Sequence, residues 1–290
     1  VRSQTTLRSP VSIEGIGLHT GQRVRATFRP APENHGIVFF RRERPDLPIP
    51  ATAASARSFD HATTLGRDGF TIGTVEHLLS AAYGLGLDNF QVELDGPEIP
   101  ILDGSALPFV RLFQAAGFSR QSRPVAPYEV SQPLEVSAGD KSISIRPGRG
   151  LTICYEIEFA HRAIGRQKLT ANISSGDFAA RIAPARTFGF LREIEYLRQK
   201  GLARGGSLQN AVVLDDEGII SGPLRFRDEF VRHKIMDLVG DLALLGRPLE
   251  GRIHARKAGH ALHAELVRAL LAPAAEAWVP AGAALIRAEG

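Results

Sequence analysis

Apolar residues recur along the chain at two different spacings. In the opening seventy residues the runs are short and bounded by glycine or proline. They alternate in Val24-Arg25-Ala26-Thr27-Phe28 and run on in Ile37-Val38-Phe39-Phe40, patterns that predict strands. At Thr74 the period changes. Val75, Leu78, Leu79, Ala82 and Leu85 fall at helical spacing, with Thr74 to cap the start and Gly84 or Gly86 to close the end. A strand over Asn89 to Leu94 is expected next, then a proline-stiffened loop from Asp95 to Gly104 and a second helix over Ser105 to Ala116. Asp103 is assigned to this loop, because an Asp-Gly-Ser turn ahead of a helix is a local capping arrangement.

Ser119 to Pro133 loses the periodicity and carries Arg120, Arg123, Pro124, Pro127 and Pro133, which predicts a linker with a domain boundary near residue 125. Beyond it the pattern predicts strands over 142–146 and 151–159, a helix over 193–200 and a strand over 210–214. A long helix over 228–245, a strand over 252–256 and a final helix over 260–271 follow. The order helix, glycine, strand, turn, helix thus occurs in both halves without any repeat of sequence. We therefore expect an α+β protein of two domains, 1–125 and 126–290, similar in topology, with strands covering a helix pair in each and a site where they face.

With 43% hydrophobic and 23% charged residues among 290, a large core is affordable and global disorder is excluded. The net charge of +4 tolerates an anionic ligand but falls short of a nucleic-acid coat, and 7% aromatic residues offer no stacking platform for RNA. A single cysteine, Cys154, rules out an internal disulfide and any multi-cysteine metal site, so histidines and carboxylates must supply metal ligands. No run of 18 apolar residues and no basic-then-apolar leader occurs, which predicts a cytoplasmic protein without a transmembrane segment; Val1 suggests a trimmed start.

Two of the nine histidines stand in informative contexts. In His233-Lys-Ile-Met-Asp237 an imidazole and a carboxylate four positions apart project from one helix face, within reach of a single ion or of each other. In Thr74-Val-Glu-His77 two polar groups interrupt an apolar helix, and burying them without partners would cost several kcal/mol. A zinc ion held by His77, His233 and Asp237 answers both, with a fourth position left for water and Glu76 beside it as general base. The HExxH order of many metallopeptidases is absent, and Gly73 stands where the reversed motif needs its first histidine.

Six segments extend this constellation: Gly17-Leu-His-Thr-Gly21, Thr74-Val-Glu-His-Leu78, Pro97-Glu-Ile-Pro-Ile-Leu-Asp-Gly-Ser105, Ala185-Arg-Thr-Phe-Gly-Phe190, His233-Lys-Ile-Met-Asp237 with Gly240-Asp241, and Lys257-Ala-Gly-His260. In order and approximate spacing the chain resembles the bacterial zinc deacetylases of lipid A synthesis, the UDP-3-O-acyl-N-acetylglucosamine deacetylase family. The resemblance implies a two-layer α+β sandwich made twice, with helices packed between outer sheets. It implies hydrolysis of the acetamido group of UDP-3-O-(3-hydroxyacyl)-N-acetylglucosamine, with zinc as cofactor and iron(II) accepted by the same ligand set.

By the same resemblance His260 stabilises charge or acts as an acid toward the departing amine, Asp241 orients it, and Thr187 hydrogen-bonds the tetrahedral oxyanion. The resemblance is compatible with Glu76 shuttling every proton and with Glu76 and His260 dividing the roles. Lys234 is implied to face the anionic substrate, Phe159 to stack on uracil and Lys257 to contact the diphosphate. Phe190, Ile194, Ala203, Leu208, Ala211 and Val213 match positions lining an acyl-chain passage, with Gly205-Gly206-Ser207 allowing close backbone approach. His19 and Thr20 border the site or serve their own turn. A monomer acting on a small UDP-sugar, without nucleic acid, is the resulting expectation. The rivals are a zinc amidohydrolase with another substrate and a nucleotide- or RNA-binding module with structural histidines.

Overall fold

The computed structural model describes residues 2–272 and is α+β, as the alternation of periods predicts. Five strands form a sheet in the order Val11–Ile16, Arg23–Pro30, Phe90–Leu94, Ile37–Arg41, Arg44–Pro50. A second sheet runs Leu134–Ala138, Lys141–Arg146, Leu249–Arg256, Leu151–Glu158, Arg166–Asn172, with Tyr128–Glu129 alongside Leu249–Arg256. The two five-strand paths share one connectivity. In each, two hairpins flank a late strand that is antiparallel to the first hairpin and parallel to the second.

Six α-helices lie among the described residues: α1 (Glu76–Leu85), α2 (Leu107–Ala116), α3 (Ser175–Asp177), α4 (Leu191–Gln199), α5 (Glu229–Leu242) and α6 (His260–Leu271). Alternation in Arg23–Pro30 sends Val24, Ala26 and Phe28 inward, where Phe28 meets Phe109 and Phe113 of α2 edge-on with centroids 6.5 and 5.2 Å away. Full burial of each such ring contributes about 1.5 to 3 kcal/mol. On the other side α5 and α6 pack against the second sheet, and α1 and α5 pack on each other, so the helices lie between the sheets. Their approach is close because residue 240 is glycine; a Cβ there would collide with the backbone of Glu76. That crossing brings the start of α1 beside the C-terminal half of α5.

Three expectations need correction. Thr74 does not cap α1: its backbone is left-handed, with φ of +56°, and its hydroxyl donates to Glu98 at 2.7 Å. Residues 119–124 of the expected linker belong to a strand, Phe118–Pro124, paired with Ser3–Leu7; it is largely exposed, so it carries no apolar alternation. The strand expected over 210–214 is shortened to Val212–Leu214, paired in parallel with Phe188–Phe190. Gly86 does close α1, in the left-handed conformation.

Candidate metal centre

Helix α5 is buried over twelve of its fourteen residues, including Glu229, His233, Asp237 and Asp241, so each of these groups must find a partner inside the protein. Glu229 finds the Arg186 guanidinium, with Nε donating at 2.8 Å and Nη2 at 3.1 Å. That fork ties the segment before Phe188–Phe190 to the start of α5. Across the crossing, Glu98 accepts hydrogen bonds from Thr74 Oγ1, from the backbone N–H groups of His19 and Thr20, and from Thr20 Oγ1. One buried carboxylate therefore fixes both the Gly17–Gly21 turn and the entry to α1.

His77, His233 and Asp237 come together, with ligand atoms all within 4.8 Å of one another. The Nδ1–H of His233 donates to the Ala185 carbonyl at 3.2 Å, which leaves Nε2 as an acceptor. That nitrogen lies 3.3 Å from Asp237 Oδ1, and His77 Nε2 lies 3.9 Å from the same oxygen. Burial pushes the His77 ring down to about 3 and lowers His233, favouring the neutral form of both. Burial opposes ionisation of Asp237, yet the His233 ring and the Lys234 ammonium hold its carboxyl below the usual range. His233 Nε2 and Asp237 Oδ1 thus face each other as acceptors, and His77 Nδ1 is buried with no partner among the described residues. A divalent cation of the zinc or iron(II) type fits these three donors.

Around them is a cavity of about 200 Å³ lined also by Leu18, His61, Thr74, Glu76, Thr187, Phe188, Lys234 and His260. Glu76 Oε2 accepts the N–H of Thr63 at 3.0 Å, and burial, reinforced by Asp237 and Asp241 and opposed by His260, pushes its carboxyl up to about 7. His260 Nδ1 lies 2.7 Å from Asp241 Oδ2, and its Nε2 3.9 Å from Asp237 Oδ2. Burial would lower the His260 ring, but the Asp241 carboxylate outweighs it and raises it to about 9. Thr187 has its backbone fixed by hydrogen bonds to Gly104 and Val212. Lys234 Nζ donates to Asp237 Oδ2 at 2.7 Å.

The profile of the family described as UDP-3-O-acyl N-acetylglycosamine deacetylase matches residues 4–272. The chain belongs to this family. A UDP-3-O-acyl-N-acetylglucosamine deacetylase of Myxococcus xanthus is 50% identical over 283 residues, 96% of this chain and 90% of that protein. Others of that name from Oleidesulfovibrio alaskensis and Thermodesulfovibrio yellowstonii are 48% and 43% identical, covering 92% of this chain and 88% and 91% of their own lengths. The resemblance read from the motifs, and with it the deacetylase class, is borne out.

Other residues expected at the deacetylase site lie outside the cavity lining. Asp241 sits behind His260, with no exposed surface. Phe159 packs on Phe188 and Phe190, centroids 5.7 and 6.0 Å away. Lys257 is held by Asp140 at 3.0 Å and Glu158 at 2.7 Å. Of the six acyl-passage positions, Ala203, Ala211 and Val213 are buried, Phe190 and Ile194 half-buried and Leu208 exposed. Gly205 does permit a close approach, but to the Gly17 carbonyl, which a Cβ would strike; Gly205 N–H also donates to Leu18 O at 3.0 Å. Thr63, His61, Leu18, Phe188, Glu98 and His263 were not singled out from sequence. Leu18, Glu98 and Phe188 fall inside the quoted motifs, and His263 had a local signal of its own, three residues after His260 on the same helical face.

Proposed function

We propose that the chain removes the N-acetyl group of UDP-3-O-(3-hydroxyacyl)-N-acetylglucosamine in lipid A biosynthesis. Water adds to the amide, the C–N bond breaks, and acetate and a free amine are released. The observation that carries this reading is a buried set of acceptors, His77, His233 and Asp237, beside a carboxyl whose proton affinity lies near neutrality. Zinc, or iron(II) in the cell, would be held by those three side chains and would supply Lewis acidity toward the acetamide carbonyl and toward a water.

The chain's own groups divide the remaining work. Glu76, anchored through one oxygen by Thr63, takes the proton of the attacking water with its other oxygen. His260, raised to about 9 by Asp241, carries a proton near neutral pH and gives it from Nε2 to the departing amine. This contrast with Glu76, at about 7, favours a divided acid and base over a single shuttling carboxylate. The Thr187 hydroxyl donates to the oxyanion as charge develops there. Lys234 faces the anionic substrate. Phe159 stacks on uracil, Lys257 exchanges Asp140 and Glu158 for the diphosphate, and Phe190, Ile194, Ala203, Leu208, Ala211 and Val213 border the acyl chain.

The same proposal makes the enzyme a cytoplasmic monomer of two domains, 1–125 and 126–290, of which 273–290 lie outside the described residues. Among the described residues no helix is long and apolar enough to cross a membrane. The test is acetate release by the zinc-loaded protein from acylated and non-acylated UDP-sugars. Turnover of the acylated substrate is expected; equal turnover of an unrelated acetylated sugar or peptide would overturn the assignment.

A further inference from the structure

Behind the cavity a second histidine shares the Asp241 carboxylate. Thr63 Oγ1 donates to Asp241 Oδ1 at 2.5 Å, while Oδ2 lies 2.7 Å from His260 Nδ1 and 2.8 Å from His263 Nδ1. His260 and His263 are three residues apart on α6, their ring centroids separated by 5.9 Å. Asp241 and His263 have no exposed surface, so no water competes for these bonds. On its far side His263 Nε2 lies 3.0 Å from the hydroxyl of Tyr155, which is also 2.7 Å from the Ala258 carbonyl in the turn leading to α6.

Counting protons orders this cluster. A carboxylate oxygen has two lone pairs and no proton to give, so both Nδ1 atoms on Oδ2 are donors. Each ring is thus anchored through its Nδ1–H. His260 Nε2 looks into the cavity, and His263 Nε2 faces the oxygen of the Tyr155 hydroxyl, whose one proton goes to the Ala258 carbonyl. The three hydrogen bonds leave Asp241 no freedom to rotate: a turn about its side chain would break two imidazole bonds at once. Without the His263 donor, half of that hold on Oδ2 is lost, and the carboxylate can swing toward Thr63 and away from His260.

We propose that His263 is a positioning residue for His260, acting through Asp241, with Tyr155 fixing the His263 ring from behind. The proposal rests on the deacetylase reading for its catalytic consequence. Its structural content stands apart, in the two protonated Nδ1 atoms. Asp241, His260 and His263 also satisfy the spacing of a metal cluster. The two short Nδ1 to oxygen distances fit hydrogen bonds instead, since a cation would require both nitrogens to be bare.

The test compares His263→Leu, His263→Asn and Tyr155→Phe with the wild type, all as the zinc-loaded full chain. The asparagine amide N–H can stand where Nδ1–H stands; leucine offers no donor. Relative to wild type, His263→Leu is expected to keep one metal equivalent and a KM within about twofold while kcat falls about 10- to 100-fold, and His263→Asn to recover kcat to within about fivefold. Nitrogen-15 NMR of histidine-labelled wild type should show two rings protonated at Nδ1, with the His263 resonance shifted in Tyr155→Phe. A His263→Leu kcat within about twofold of wild type, a His263→Asn loss as deep as that of leucine, or a second metal equivalent lost with His263 would each overturn the proposal. If the wild type releases no acetate, the deacetylase reading fails, and the NMR protonation pattern still decides the network.

Discussion

Asp237 and Asp241 sit one turn apart on α5, 3% and 0% exposed, and their surroundings are opposite in kind. Asp237 Oδ1 looks at imidazole nitrogens 3.3 and 3.9 Å away; the nearer, on His233, has its only proton directed elsewhere, at Ala185. Asp241 meets three donors at 2.5 to 2.8 Å. Burial is therefore not what separates a proposed metal ligand from a hydrogen-bond hub. The supply of protons is: a buried carboxylate surrounded by donors is satisfied by the protein, and one facing acceptors calls for a cation.

Replacing each carboxylate breaks the comparison most directly. Asp237→Ala removes an acceptor from the cation, so metal content should fall and activity with it, by about 10⁴-fold or more. Elemental analysis and acetate release on one preparation measure both. Glu76→Gln comes next: it keeps the metal and loses about 10² to 10⁴ in kcat, the usual share of a general base. Metal loss in Glu76→Gln with full loading of Asp237→Ala would exchange the two roles.

Asp241→Asn should keep the metal and lose about 10- to 100-fold in kcat, because on the proposed mechanism Asp241 acts through His260. It also alters acid stability. Burial opposes ionisation of Asp241, but His260 and His263 hold its carboxyl down at about 2, below the unfolded value of about 3.9. A depressed folded-state value contributes stability that is complete above the unfolded value and is lost as pH falls through the folded one. Denaturant midpoints of the wild type should therefore drop more steeply than those of Asp241→Asn between about pH 4 and about pH 2. Parallel curves would mean that the carboxylate is no better solvated inside the protein than outside.

How far the sequence led depended on whether the deciding contact was local. Helical spacing in 75–85 and 228–245 yielded α1 and α5, and the four-residue step from His233 to Asp237 already put both on one face. That His77 meets them depends on the Gly240 crossing, which no window around either helix contains. Thr74 obeys Glu98, 24 residues away, and not the helix it precedes. The ribbon of Ser3–Leu7 and Phe118–Pro124 was hidden because Phe118–Pro124 is mostly exposed and has no apolar face to write into its sequence. Thr63 lies in an irregular stretch, and its bonds to Glu76 and Asp241 bear on the site only once α1 and α5 are together. The acyl-passage positions came from the family resemblance alone.

Lys234 is the one exception within the comparison, and the smallest effect follows from it. Its ammonium donates to Asp237 Oδ2 at 2.7 Å, so the carboxylate that faces acceptors on one oxygen has a donor on the other. With 17% of its side chain exposed, the lysine keeps part of its hydration, and its charge both neutralises Asp237 and repels a cation beside it. Lys234→Met removes the repulsion and the competing bond together. Affinity for zinc, measured by competition with a chelator, should rise by up to about tenfold, equivalent to about 1.4 kcal/mol. KM for the anionic substrate should rise at the same time, because a nearby positive charge is gone. A fall in zinc affinity would mean instead that the ammonium holds Asp237 in its ligating rotamer, and Asp237, like Asp241, would then depend on a protein donor.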